Sequence, residues 1–220
     1  MLDAARLIAG NLLLKAPAEL HPALVVFSEH IVDTIDFTHP PSEIVLRLAG
    51  LEEGRGRTAL LDALAYSATL LRPNMPGDAV YLISDGADNS SHARLRDVKA
   101  EFLARGIRIF AARLPGSRYF RTEEEQTGPV LLEDLTNTTG GAIVEFNGSP
   151  SATDREHLRG VLDHEYDEIA HFYELEVEFQ SGLKQERRLG LEIVDEHGKK
   201  RKDIQMFYPQ ELLPCSIDPR

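Results

Sequence analysis

Tyr81-Leu82-Ile83-Ser84-Asp85-Gly86-Ala87-Asp88-Asn89-Ser90 is the stretch on which the reading of this chain turns. It opens inside a nearly continuous apolar run, Ala79 to Ile83, as expected of a central strand covered on both faces. It then stops at a polar loop rich in carboxylates. Open parallel sheets bind ligands outside the carboxyl ends of their strands, so Asp85, Asp88 and Asn89 stand where a site belongs.

Upstream of this strand, Leu60, Leu61, Leu64, Ala68 and Leu71 recur at helical spacing behind Thr58, a residue able to cap the helix, and Pro73, Pro76 and Gly77 end it. Ile44, Val45, Leu48 and Leu51 mark a second helix over 42–51, opened by Pro40 and Pro41. Ala23 to Ser28 and Ile31 to Phe37 read as two strands joined by a tight turn at Glu29 and His30. Met1 to Leu14 reads as an amphipathic helix with Leu2, Ala5, Ala9, Leu12 and Leu13 on one side.

Downstream, a helix is expected from about His92 to Arg105, stopped by Gly106, then a strand from Ile107 to Ala112. A polar loop follows over 115–128 with Glu123, Glu124 and Glu125 at its centre, then a short helix near 130–138, the Gly140 and Gly141 stop, and a strand at Ala142 to Phe146. Helices alternating with strands at this spacing predict an α/β fold: an open, mostly parallel sheet with helices on both faces. We divide the chain into this domain over 1–147, a linker and long helix over 148–170, and a small antiparallel β extension over 171–212. In the helix Leu158, Val161, Leu162, Glu165 and Ile169 are in register. In the extension Tyr173, Leu175, Val177 and Phe179 alternate with polar residues, and Leu189 to Val194 and Ile204 to Tyr208 supply two more strands around a turn at Asp195 to Gly198.

With 24 basic and 36 acidic residues, the formal charge of −12 repels phosphate backbones, so nucleic acid is not an expected partner. The Lys199-Lys200-Arg201-Lys202 run lies beside the turn and reads as a solvated face. Cys215 is the only cysteine, which excludes an intrachain disulfide framework. We find neither a signal peptide nor a transmembrane segment. The chain as given is therefore expected to be cytoplasmic, or exported if an upstream segment carries a signal.

Four segments resemble, in order, the von Willebrand factor A domain. The stretch Tyr81 to Ser90 looks like that family's apolar strand followed by Asp-Gly, an acidic residue and Asn. Gly56-Arg57-Thr58-Ala59-Leu60 resembles its Gly-Gly-Thr loop. Leu24-Val25-Val26-Phe27-Ser28 is similar to its strand ending in Phe-Ser, and Thr139-Gly140-Gly141 to its Thr-Gly-Gly before the last strand. The set covers about residues 1 to 147, and the C-terminal strands further resemble those of bacterial von Willebrand factor A-related proteins. The resemblance implies a protein-binding module with an Mg²⁺ site, Thr58 and Asp85 matching its loop Thr and later Asp.

The other half of that site, an Asp-x-Ser-x-Ser motif ending the fold's first strand, has no match in this sequence. That strand would lie between Ala23–Ser28 and Ala79–Ile83. We expect the chain to lack its N-terminal residues, or a partner strand or domain swap to complete the sheet. Arg57 also replaces a usual Gly; it is expected either over Asp85 as a substitute positive charge or in solvent. Mg²⁺ takes near-octahedral oxygen ligation, and Thr58 and Asp85 offer one hydroxyl and one carboxylate. Binding of Mg²⁺ by this chain alone is thus expected to be weak or absent. Structural roles compete with it, Thr58 as a helix cap and Asp85 as a turn former.

The expected function is non-catalytic recognition of a protein partner around Thr58 and Asp85, with Arg57, Asp88 and Asn89 as further binding residues. Two alternatives stand beside it: a metal-dependent hydrolase using Asp62, Asp85 and Asp88, for which no general base or phosphate cradle is apparent, and a structural fragment with a vestigial site. Gly-x-Ser-x-Gly, P-loop and dinucleotide motifs are absent. His157, His164 and His171 recur every seven residues, about 10 Å apart on a helix, too far to share one ion. The acidic loop over 117–128, with Tyr119 and Phe120, is either a contact surface or a solvated loop.

Overall fold

The computed structural model describes residues 2–16, 20–52, 54, 56–71, 77–116, 123–146, 152–177, 183 and 185–214. Helix α1 (Leu2–Lys15) leads into a hairpin of β1 (Leu24–Phe27) and β2 (Ile31–Ile35), followed by α2 (Pro41–Gly50) and α3 (Leu60–Leu70). The alternation then runs β3 (Ala79–Ser84), α4 (Leu95–Arg105), β4 (Arg108–Arg113), α5 (Glu123–Thr139), β5 (Ile143–Glu145) and α6 (Ala152–Ala170). Strands β3, β4 and β5 form a parallel sheet in that order, and β1 and β2 pair antiparallel. Among the described residues no ladder joins β1 to β3.

Strand alternation sends side chains to two faces. On one, Val80 and Leu82 of β3 and Ile109 and Ala111 of β4 pack with Leu60, Leu61, Leu64, Val98, Phe102, Leu132 and Leu135 of α3, α4 and α5. On the other, Tyr81, Ile83 and Ala112 meet Ile8 of α1 and Leu162 of α6. Central β4 is buried along Ile109–Ala112, whereas β3, paired on one edge only among the described residues, stays half-buried at Ala79, Val80, Tyr81 and Ile83.

Several local expectations are corrected. The most buried residue of α1 is Ile8, outside the stripe read from the sequence, because the helix is wedged between two clusters: Ala4, Ala5, Leu7 and Leu12 face one, Ala9 and Leu13 the other. Helix α4 starts at Leu95 rather than His92, since the His92 and Ala93 N–H groups donate to the Asp62 carboxylate instead of entering the helix. The helix expected over 130–138 begins at Glu123 and takes in Pro129, so the last part of the expected loop, 123–128, is helical. Residues 117–122 of that loop, with Tyr119 and Phe120, lie outside the described residues, as does Cys215.

The extension departs further. Tyr173 to Val177 joins no ladder among the described residues, and Tyr173 is 96% exposed. The antiparallel pairing expected for Leu189–Val194 and Ile204–Tyr208 is instead made by β6 (Arg187–Arg188) and β7 (Glu211–Leu212), with one bridge from Val194 to Lys200. The turn at Asp195 to Gly198 does form, with Asp195 accepting from the His197 and Lys199 N–H groups. No described helix is long and apolar enough to cross a membrane.

Helix α6 docks through a buried carboxyl. Glu165 is 1% exposed; one oxygen accepts the Tyr81 hydroxyl of β3 and the other has no partner among the described residues. Burial pushes its pKa up to about 7, against the Tyr81 hydrogen bond and with help from the nearby Glu168 charge. Burial likewise raises Tyr81. A raised folded-state pKa favours the protonated carboxyl, so this contribution is intact below the ordinary glutamate value of 4.5 and is lost as pH climbs through about 7. Thermal melting followed across that window is expected to show a falling midpoint, and Glu165→Gln to flatten the dependence.

Candidate functional site

Two loops meet beside the carboxyl ends of β1 and β3: 56–59 ahead of α3, where the Ala59 N–H donates to the Ser28 carbonyl, and 85–94 ahead of α4. Helix α3 begins after Ala59, whose methyl group cannot cap it. Its free N–H groups are met from another part of the chain: the Asp88 carboxylate accepts from Leu60 N at 2.9 Å and Leu61 N at 3.5 Å. The Ser91 hydroxyl donates to the same oxygen at 2.6 Å and accepts the Asp62 N–H at 3.0 Å. This is an N-cap supplied across the fold. Thr58, the expected cap, makes no capping hydrogen bond.

Asp62 returns the favour to the second loop. Its carboxylate accepts the Ala93 N–H at 2.7 Å and the His92 N–H at 2.9 Å. Burial works to raise its pKa, but these two donors, with the His92 ring, outweigh it and hold the carboxyl below its usual range. The Asn89 side-chain oxygen accepts the Thr58 N–H at 2.7 Å, and the Thr58 carbonyl accepts from Asn89 N at 2.9 Å and Ser90 N at 3.0 Å. Five of the six residues Thr58, Asp62, Asp88, Asn89, Ser91 and Asp85 therefore brace the loops against each other.

Asp85 is the exception. One of its oxygens accepts the Ala87 N–H at 3.2 Å, the turn-forming role read from the sequence, and its carboxylate lies half-buried against Gly116. Gly86 turns the chain with φ 86°, and a Cβ there would fall 2.3 Å from the Gly128 carbonyl oxygen. Arg57 is exposed, and its guanidinium donates to the Asn89 carbonyl, at 2.9 Å from Nε, rather than to Asp85.

As ligands for Mg²⁺ the described residues offer the Asp85 carboxylate and the Thr58 hydroxyl, because Asp62, Asp88 and Asn89 are engaged by backbone N–H groups. No three described acidic, histidine or cysteine residues gather in metal-binding geometry. The donor set does not fit a self-sufficient octahedral site. His164 and His171 are likewise engaged locally, with Glu168 and the Asp167 carbonyl; the His157 side chain is outside the described set.

Neither a family model nor a curated protein matches the sequence. Solved structures do resemble the fold. A von Willebrand factor type A protein from Catenulispora acidiphila superposes with a TM-score of 0.56 at 16% identity, over 75% of this chain and 38% of its own length. The conserved hypothetical protein BatB from Bacteroides thetaiotaomicron does so with 0.51 at 14% identity, over 77% of this chain and 88% of its own. An aerotolerance-related membrane protein from Bacteroides fragilis gives 0.52 at 16%, over 76% and 88%. At such identities the likeness is one of fold: the chain has a von Willebrand factor A-type architecture.

Two substitutions test the bracing. Asp88→Ala removes the shared cap and is expected to cost about 1–2 kcal/mol in urea unfolding, while Asp88→Asn, which keeps an acceptor, costs less. Gly86→Ala combines a left-handed φ with a backbone clash and is expected to cost more than about 2 kcal/mol by the same measurement.

Proposed function

We propose that this chain, built on the von Willebrand factor A fold, is a non-catalytic protein-binding or scaffolding module. Its partner docks on the strand-end platform made by Arg57, Thr58, Asp85, Asp88 and Asn89. The observation that carries this reading is the reciprocal bracing of the two loops, in which Asp88 caps α3 while Asp62 holds the start of the α4 loop. A surface fixed before binding loses little conformational entropy on association, which favours recognition. The exposed Arg57 guanidinium and the half-buried Asp85 carboxylate give that surface both signs of charge.

Mg²⁺, in this reading, is at most a weak participant: Asp85 and Thr58 would hold it, with water and a partner's carboxylate filling the other positions. Turnover is not expected, since two of the three carboxylates that a hydrolase would use are committed to backbone donors.

Covalent cross-linking to the partner in native extract, followed by mass spectrometry, tests the platform. Arg57→Glu and Asp85→Lys are expected to lose at least about tenfold of the captured partner, about 1.4 kcal/mol or more, with the folded state retained by circular dichroism. Equal capture by the variants sinks the reading. Calorimetric titration with Mg²⁺ and Mn²⁺ is expected to show weak binding at best, abolished in Asp85→Ala. Hydrolysis of a generic phosphoester that disappears in Asp85→Ala would establish an enzyme instead.

A further inference from the structure

The β6–β7 pair is fastened to the end of α5 at two points. Gly140 follows that helix with φ 82°, and a Cβ there would fall 2.5 Å from the Pro209 nitrogen, so the chain ahead of β7 lies against the helix terminus with no room for a side chain. The Lys99 ammonium of α4, its side chain 17% exposed, donates to the Asp134 carboxylate of α5 at 3.0 Å and to Glu211 of β7 at 3.5 Å. The Thr139 hydroxyl accepts the Ile109 N–H at 2.9 Å, which sets this terminus beside the amino end of β4. The seam therefore lies at the opposite end of the sheet from the strand-end platform.

Between these fastenings the seam opens into a cavity of about 420 Å³. That falls among small-molecule sites, which run to about 300–1,000 Å³. Its α5 wall carries Asp134 and Asn137, its hairpin wall Glu186, Arg187, Arg188 and Glu211, and every residue lining it is polar or charged. Part of this charge is already matched. Lys99 serves both Asp134 and Glu211, which leaves that pair one surplus negative charge. The Arg188 guanidinium donates to the Gln210 side-chain oxygen at the long distance of 3.5 Å. Asn137, Glu186 and Arg187 engage no hydrogen-bond or ion-pair partner among the described residues.

The balance of these groups selects the ligand. Lys99, Arg187 and Arg188 oppose Asp134, Glu186 and Glu211, so an ion of one sign meets repulsion as well as attraction, whereas a molecule bearing both signs meets a complement for each. An apolar molecule would strip water from polar walls and return no hydrogen bond. The acidic groups do not gather in metal-binding geometry. We propose that the seam binds a small zwitterion, a free amino acid or dipeptide. Its carboxylate sits on the Arg187 guanidinium, whose planar fork suits two parallel hydrogen bonds, and its ammonium on Glu186 beside the Asp134–Glu211 pair. The Asn137 amide serves the polar atoms between. Walls fixed by Gly140 and Lys99 lose little freedom on binding. The inference is independent of the strand-end platform.

NMR titration of the intact, isotope-labelled chain tests the seam with alanine and alanyl-alanine. Beside them stand N-acetyl-alanyl-alanine, which lacks the ammonium, and alanyl-alanine amide, which lacks the carboxylate. Alanyl-alanine is expected to shift the Asn137, Arg187, Arg188 and Gln210 signals, and each blocked form to bind at least about tenfold more weakly. Alanine binding as tightly as the dipeptide assigns the seam to free amino acids; weaker binding assigns it to dipeptides. Arg187→Gln is expected to bind alanyl-alanine and its amide equally, and Glu186→Gln to bind alanyl-alanine and its acetylated form equally, with the rest of the spectrum unchanged. Three results overturn the proposal: no shift at the seam with either zwitterion at about 10 mM, equal binding of the dipeptide and its blocked forms by the unsubstituted chain, or shifts confined to the strand-end loops.

Discussion

Helices α1 and α3, one on each face, hold together two β-sheets that share no ladder. The burden on α1 explains its apolar composition. Ile8 is fixed between β4 and α6, Ala9 and Leu13 reach β1 and α2, and the Arg6 guanidinium donates to the Leu48 and Leu51 carbonyls at the end of α2. A Lys15–Asp163 ion pair joins its far end to α6. On the opposite face α3 performs the same service, with Phe27 of β1 and Leu82 of β3 both against its apolar side. Side-chain packing here does what backbone pairing does in a continuous sheet.

The loop platform follows from that arrangement. Loop 56–59 leaves the end of the β1 half and loop 85–94 leaves β3, so every hydrogen bond between them also ties the two halves together. Polar residues that look like a reactive cluster in sequence are, in three dimensions, largely a latch. The carboxylates of Asp62 and Asp88 satisfy helix and loop N–H groups that the local sequence leaves without acceptors. Asp85 accepts only within its own loop, and Arg57, though bonded to the Asn89 carbonyl, is exposed.

The parallel β3–β4–β5 core was legible because its strands are apolar runs bounded by Gly, Asp and Pro, and α3 was legible from its Leu60, Leu61, Leu64 and Ala68 stripe. Ile8 was not, since periodicity identifies one buried stripe and cannot foresee a helix gripped on two sides. The C-terminal strands were misplaced because alternation identifies a segment suited to pairing, whereas pairing also needs a partner. At the site, the Asp85 turn is a short-range feature and was readable. The Asp88 cap acts on residues 28 positions earlier, and the only hint was negative: a helix opening at Ala59 with no capping side chain of its own.

Arg108 ties the sheet to the C-terminal extension. Its guanidinium donates to the Glu168, Ile169 and Gly77 carbonyls and lies 5.3 Å from the Phe110 ring and 4.9 Å from that of Phe172, so it holds the last turn of α6 to the sheet. The chain beyond Phe172 leaves from this point. Tension applied to the extension is borne first by a cation seated between two rings and three carbonyls, before it reaches the layers of the core.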